Sequence, residues 1–272
     1  MMEAALAEPT PLSPEDILVD RSDATVAVVT LNRPKRRNAM SLAMWQELGR
    51  IFERLGEERE VRAIILTGAG GGFCAGADIS EFEAVRKTVA DGHAYEAAND
   101  ACLNAIGACP KATIAAVSGP CYGGGAGIAL SCDFRVADPT AYFAIPAARL
   151  SNVYGIVETR VLVEAAGVAV AKEVLFAGRR YDVDEAHRVG LATHRTDDDA
   201  MNGARALAAS MANSAPLTIK GAKLVIEAVA RAETDKRQAA ILAVGDEAMA
   251  SADYKEGVAA FAAKRDPVFR GE

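Results

Sequence analysis

The sequence predicts an α/β fold in which stacked strand–turn–helix units are followed by a helical C-terminal part. Three observations carry this expectation. Two apolar runs, Val61–Thr67 and Thr113–Val117, each pass into a glycine-rich turn that reads as the opening of a helix. After residue 155 the chain changes to Ala-, Val- and Leu-rich segments of helical length. At 272 residues with 51% apolar side chains, it is long enough for one large α/β domain with a helical appendage. The expected organisation is a flexible leader over 1–15, an α/β core over 16–200 and a helical C-terminal region over 201–272.

The elements follow in order. Pro9, Pro11 and Pro14 among small residues mark the leader. Ile17–Val19 and Thr25–Leu31 read as two strands joined by a turn at Ser22-Asp23, and Asn32–Asn38 reads as a polar, basic loop. Ser41 has the chemistry of a helix N-cap, and Leu42, Trp45, Leu48, Ile51, Phe52 and Leu55 recur at helical spacing behind it. The strand Val61–Thr67 and its turn Gly68–Gly72 come next, then helical stretches from about Ile79 to Cys109. Thr113–Val117, the glycine-rich stretch Ser118–Gly127 and a helix over Gly125–Cys132 that begins within it form the next unit, followed by short strands at Phe134–Ala137 and Tyr142–Ile145. Helices are expected over Gly155–Ala166, Ala169–Ala177, Asp184–Val189, Asp199–Ala212, Pro216–Arg231 and Asp235–Ser251.

A net charge of −7 argues against nucleic acid as the main partner, although a local basic patch can still hold a small anion. Five cysteines (Cys74, Cys102, Cys109, Cys121, Cys132) form no Cys-x-x-Cys pair and have no spaced histidines. That pattern fits a reduced, cytoplasmic protein without a disulfide framework or a zinc site. Met1 to Glu15 is acidic and proline-containing, unlike a secretory signal. Ala112–Cys132 carries no charge over 21 residues, yet Pro120 and Gly123–Gly125 interrupt it, so a buried strand, a loop and a buried helix account for it better than a membrane span.

The chemistry centres on the glycine turns. Glycine lets backbone approach a ligand closely, and the first amides of a helix have no partner within it. Two such turns can each offer an N–H to one anionic oxygen. Gly70–Ala75 also fits G-x-G-x-x-A after a strand, with Asp91 further on, which leaves a nucleotide-dependent oxidoreductase as an alternative. No G-x-S-x-G elbow, Walker loop or His-Glu-x-x-His occurs.

Several blocks in register resemble the enoyl-CoA hydratase/isomerase (crotonase) family. They are Asn32-Arg33-Pro34 with Asn38-Ala39-Met40, Phe73–Ile79, Gly123-Gly124-Gly125 with Cys132-Asp133, Phe143–Pro146, Phe176–Arg180 and Phe261–Phe269. The resemblance covers about residues 16 to 272. It implies a crotonase-like spiral of ββα units ending in helices, assembled as a homotrimer or a dimer of trimers. It also implies an acyl-CoA thioester as substrate, with coenzyme A entering as part of that substrate and no separate cofactor. By the same resemblance, the thioester oxygen is held by the backbone N–H groups of Cys74 and Gly124. Ala75, Ala77, Asp78, Ile79 and Gly123 border the bound thioester. Arg33, Lys35, Arg36 and Arg37 form the loop that borders the coenzyme A in relatives, and Lys264 falls where relatives help hold its phosphates.

The proton-moving residues depart from the family pattern. Hydratases of the family carry one glutamate just after the triple glycine and another just after the proline of the later strand. Those positions are Gly127 and Ala147 here. Losing such groups removes roughly 10²–10⁴-fold of rate each, so ordinary water addition is disfavoured. Tyr154 resembles a tyrosine of decarboxylases in the superfamily and is the candidate catalytic side chain, although those relatives carry a histidine where this chain has Ala77. Glu158 is expected on a helix surface, with Gly155 at the position some isomerases use. His93 and Tyr95 fall in the segment that lines the acyl pocket of relatives, where a lone histidine is more often structural. Asp78 and Asp133 are read as caps or loop braces, and the Cys74 thiol lacks a histidine partner. The expected function is acyl-CoA chemistry through a thioester enolate, by decarboxylation or double-bond isomerisation rather than hydration. A non-catalytic acyl-CoA binder is the alternative.

Overall fold

A computed structural model of the chain describes residues 10–272, so residues 1–9 of the expected leader lie outside the described residues. The first half runs β1 (Ile17–Asp20), β2 (Val26–Leu31), α1 (Leu42–Glu57), β3 (Ala63–Gly68), α2 (Phe82–Val85) and α3 (Val89–Ala108). Next come β4 (Ala112–Val117), β5 (Pro120–Tyr122), α4 (Gly124–Ser131), β6 (Phe134–Ala137), β7 (Tyr142–Ala144) and α5 (Ile156–Ala177). β8 (Tyr181–Asp182), α6 (Val183–Val189), β9 (His194–Arg195) and α7 (Ala200–Ala212) follow, and α8 (Pro216–Ala230), α9 (Thr234–Ala250) and α10 (Ala252–Ala263) close the chain.

The main sheet has the order β1-β2-β3-β4-β6-β9, parallel except for the β1–β2 pair. A smaller sheet, β5-β7-β8, stands beside it. Both faces of β3 are covered, which explains why it reads as a continuous apolar run rather than an alternating one. Ile64 and Leu66 point into the larger core with Trp45, Phe52 and Ile106, while Ala63 and Ile65 point into a second core against α7. Ala200, Ala204 and Ala208 recur every fourth residue on α7, a smooth stripe that lets the helix lie close to the sheet. Ser41 caps α1 by accepting from the Met44 amide at 3.2 Å.

Several expectations are corrected. The first glycine turn does not open a helix: Gly72–Asp78 makes two isolated bridges, and a 3-10 turn begins only at Ile79. A dinucleotide loop needs a helix N-terminus directly after the glycines, so this geometry does not suit one. The helices expected over Gly155–Ala166 and Ala169–Ala177 are, by contrast, both present: α5 is broken between them at Gly167, whose φ of 77° and ψ of 165° are non-helical. The helical end continues past Ser251 into α10, which Ser251 caps through the Tyr254 amide. β5, β8 and β9 span three, two and two residues, too short to show a period in sequence. Among the described residues, no helix is long and apolar enough to cross a membrane.

Candidate active site

An isolated parallel bridge between Cys74 and Cys121 docks the chain after β3 onto β5, and this brings the two glycine turns together. Beside the bridge opens a cavity of about 750 Å³, whose wall includes Ala77, Gly124, Asn99, Ala147, Tyr154 and Glu158. That is ample for the acyl end of a small thioester.

The amide expected at Cys74 is not the one that faces the cavity. Cys74 is fully buried, and its N–H donates to the Pro120 carbonyl at 2.9 Å. The Ala75 N–H donates to the Arg37 carbonyl at 3.0 Å. Met40 then bonds on either side of Ala77, donating to the Gly76 carbonyl and accepting from the Asp78 amide, each at 2.8 Å. A parallel bridge of this kind turns the middle residue's own N–H away from its partner strand. The Ala77 N–H accordingly has no protein acceptor among the described residues. Gly124 supplies the first amide of α4, one of the four that a helix leaves unpaired.

Glycine is required for these two amides to approach. Gly76 has φ of 92°, and a Cβ there would lie 2.8 Å from the Tyr122 carbonyl oxygen and 3.3 Å from the Gly124 nitrogen. A Cβ on Gly124 would lie 2.9 Å from the Trp45 indole and 3.8 Å from the Ala77 nitrogen. The donors that stand side by side are thus Ala77 and Gly124. The Cys74 thiol accompanies them only as a packed group, with burial pushing its pKa up to about 12.

Glu158 overturns its expectation of a surface position, since it is 5% exposed. It is the third residue of α5, where one oxygen reaches back to accept from the Gly155 amide at 3.1 Å and so caps the helix start. Its other oxygen accepts from Asn99 Nδ2 of α3 at 3.3 Å. A Cβ on Gly155 would lie 3.4 Å from Glu158 Oε2 and 3.7 Å from both Asp100 Oδ1 and Glu96 Oε2, so three carboxyls converge there. Burial, reinforced by Glu96 and Asp100, pushes the Glu158 pKa up to about 7 against the pull of the Gly155 and Asn99 donors. Asn99 is itself buried, and its Oδ1 has no partner among the described residues.

Tyr154 donates its hydroxyl proton to the Gly123 carbonyl at 3.0 Å, and burial raises its pKa well above the usual phenol value. Gly127 and Ala147, the two positions without glutamate, both fall at this site. A Cβ on Gly127 would lie 3.3 Å from the Tyr154 hydroxyl and 3.6 Å from Glu158 Cγ. Tyr95 receives the Trp45 indole N–H at 2.9 Å and packs edge-on against Phe82 at 5.7 Å between centroids. His93 is exposed on α3 and lies outside the cavity wall.

The basic loop divides into two kinds of residue. Arg33 is turned inward, donating to Asp78 at 2.9 Å and to the Ala39 carbonyl at 2.7 Å. Arg36 reaches the same Asp78 carboxylate at 3.0 Å. Asp78 also caps the following turn through the Ser80 amide, and despite its burial the Ser80 and Arg33 bonds hold its pKa below the usual range. Lys35 and Arg37 are exposed, as is Lys264 at the end of α10. Ile79 is 59% exposed at the cavity's edge. Asp133 braces a loop by accepting from the Thr113 amide at 2.8 Å and pairing with Lys223.

Comparison with known proteins agrees with this architecture. The family model described as enoyl-CoA hydratase/isomerase matches residues 21–272. The short-chain-enoyl-CoA hydratase of Clostridium acetobutylicum is 33% identical over 245 residues, spanning 89% of this chain and 93% of that protein. Human enoyl-CoA hydratase domain-containing protein 2, mitochondrial, is 34% identical over 256 residues, spanning 92% of this chain and 87% of the relative. Among solved structures, an enoyl-CoA hydratase/carnithine racemase from Magnetospirillum magneticum superposes with a TM-score of 0.86 at 37% identity, covering 96% of this chain and 97% of the other. An enoyl-CoA hydratase from Bacillus anthracis gives 0.87 at 30% identity, covering 94% and 100%. Matched by the family model over nearly its whole length and similar over most of its length to these relatives and structures, the chain belongs to the enoyl-CoA hydratase/isomerase (crotonase) family of acyl-CoA enzymes.

Proposed function

We propose that the chain binds an acyl-CoA with its thioester oxygen between the N–H groups of Ala77 and Gly124 and forms an enolate there. The observation that carries this reading is the Ala77 amide, which is left without an acceptor beside the unpaired first amide of α4. Donors already in place stabilise the developing oxyanion without reorganising, at about 3–4 kcal/mol for each. Double-bond isomerisation, which one proton carrier can perform, is favoured over hydration because Gly127 and Ala147 supply neither of the two glutamates that water addition uses in the family. The exposed Lys35, Arg37 and Lys264 are the cations available for coenzyme A phosphates, whereas Arg33 is engaged in holding Asp78. Five buried free thiols suit a reducing compartment such as the cytoplasm. The exposed apolar residues of α9 and α10 favour assembly into a trimer or pair of trimers.

The test combines binding, spectroscopy and turnover. Crotonyl-CoA is expected to bind with its thioester carbonyl stretch shifted to lower frequency. A 3-enoyl-CoA is expected to gain conjugated thioester absorbance faster than crotonyl-CoA loses it. Ala77→Pro, which deletes one donor, is expected to lower turnover by about 10²–10³-fold. A bound thioester with an unshifted carbonyl overturns the oxyanion reading, and rapid loss of crotonyl-CoA conjugation overturns the preference for isomerisation.

A further inference from the structure

We infer that Glu158, projecting from α5, is the catalytic acid–base residue of this site and delivers a carboxyl to the place where the chain lacks one at Gly127. The inference rests on the oxyanion reading above and identifies the group that moves the proton.

Three observations converge. The first is position. Gly124 and Gly127 lie three residues apart on α4, so they share a face about 4.5 Å apart along the axis. A side chain at 127 would leave the helix one turn from the Gly124 amide. Glu158 Cγ lies against that space, 3.6 Å from where such a Cβ would be, with the Tyr154 hydroxyl at 3.3 Å and Leu103 Cδ1 at 3.5 Å. A side chain at Gly127 would press first on the Tyr154 hydroxyl, and one longer than a methyl would extend against Leu103 and Glu158 as well.

The second observation is burial that capping does not need. A glutamate at the third position of a helix usually caps it from the surface. Glu158 makes that bond to Gly155, yet it also faces the cavity and bonds Asn99 on a different helix. A carboxyl that only capped α5 would gain nothing by leaving water.

The third is the Asn99 side chain. It is 5% exposed, lines the cavity and holds one oxygen without a partner among the described residues. An amide serves both charge states of a carboxyl, donating through nitrogen to the carboxylate or, turned over, accepting through oxygen from the acid. The spare acceptor beside Glu158 is what a group that gains and loses a proton requires.

The step balances without any co-reactant. The Glu158 carboxylate removes a proton from the carbon next to the thioester, breaking the C–H bond and forming a carboxyl O–H. The electron pair moves onto the thioester oxygen facing Ala77 and Gly124. Returning the proton to the γ-carbon shifts the double bond by one carbon and restores the carboxylate. Of the other groups around Glu158, Glu96 and Asp100 on α3 are like charges, while Arg86 answers Glu96 and Arg160 answers Asp100. Tyr154 stays protonated and bound to the Gly123 carbonyl. Together they leave Glu158 able to change protonation near neutral pH.

The test is exchange of the α-protons of butyryl-CoA in heavy water by the full-length protein, followed by NMR, with affinity measured by calorimetry. The wild type is expected to exchange, at a rate that rises with pH through about 7. Glu158→Gln keeps the shape and an acceptor for the Gly155 amide. It is expected to slow exchange about 10²–10⁴-fold with butyryl-CoA affinity changed less than about three-fold. Asn99→Ala, which removes a donor to the carboxylate, is expected to move the midpoint of the pH profile upward, a change that helix capping alone does not produce. It also serves as the test if Glu158→Gln does not fold. Exchange by Glu158→Gln within about three-fold of wild type, or a wild-type rate flat between about pH 5 and 9, overturns the assignment of Glu158 while leaving acyl-CoA binding intact. Failure of the wild type to bind butyryl-CoA overturns the oxyanion reading itself.

Discussion

At the residue scale, a difference of three positions changes which amide is left free beside the cavity. Cys74 and Ala77 lie in the same block, yet Cys74 N–H closes a bridge to Pro120 while Ala77 N–H is turned outward by Met40. Glu158 shows the same sensitivity, since its role depends on α3 covering it. Its raised pKa has a stability consequence with a definite sign. The folded state favours the neutral acid, so the stabilisation is full below the unfolded value of 4.5 and is lost as pH rises through about 7. The shift corresponds to about 3 kcal/mol of destabilisation once the group is ionised. Glu158→Gln is therefore expected to raise Tm at about pH 8, with the gain shrinking toward about pH 5. Thermal unfolding at the two pH values checks it. An equal gain at both would mean that the carboxyl does not titrate in this range.

At the scale of elements, two braces position the paired amides. The Arg33–Asp78 pair ties the basic loop to the residue next to Ala77, both partners nearly excluded from water. Tyr154 anchors the other side through the Gly123 carbonyl, which also accepts from the Ala126 and Gly127 amides at 3.0 and 3.2 Å. Tyr154→Phe keeps the ring and removes one of three donors. It is expected to cost about 1 kcal/mol of stability and to lower turnover less than about ten-fold. A loss of about 10²-fold or more would identify Tyr154 as a proton donor in its own right. Steady-state kinetics beside denaturant unfolding separates the two roles.

At the scale of the whole molecule, the sheet and its helices form the interior, while the C-terminal helices leave much apolar surface uncovered. Within α8 to α10, only Ala228, Val244, Asp253 and Ala260 are buried. Leu242, Met249, Tyr254 and Val258 are exposed, and Phe261 is 88% exposed. Covering one such phenylalanine contributes about 2–3 kcal/mol at each contact. Light scattering on the wild type is expected to give three chains or a multiple of three. Phe261→Glu is expected to shift the population toward single chains while retaining helical content. A monomeric wild type would remove the basis for assembly through this face.

The sequence by itself determined the layers, the strand and helix order of the first half, the Ser41 cap and the position of the second glycine turn. These depend on local periodicity, cap chemistry and glycine, all of which act within a few residues. It also located Gly127 and Ala147 as positions without an acid or base. Only the tertiary structure decided which N–H groups point into the cavity and which carboxyl reaches it. The direction of the Ala77 amide is set by Met40, far earlier in the chain, and the environment of Glu158 by Asn99 on another helix. Hydrogen-bond direction and desolvation arise from packing between distant segments, and no periodicity within a single segment records them.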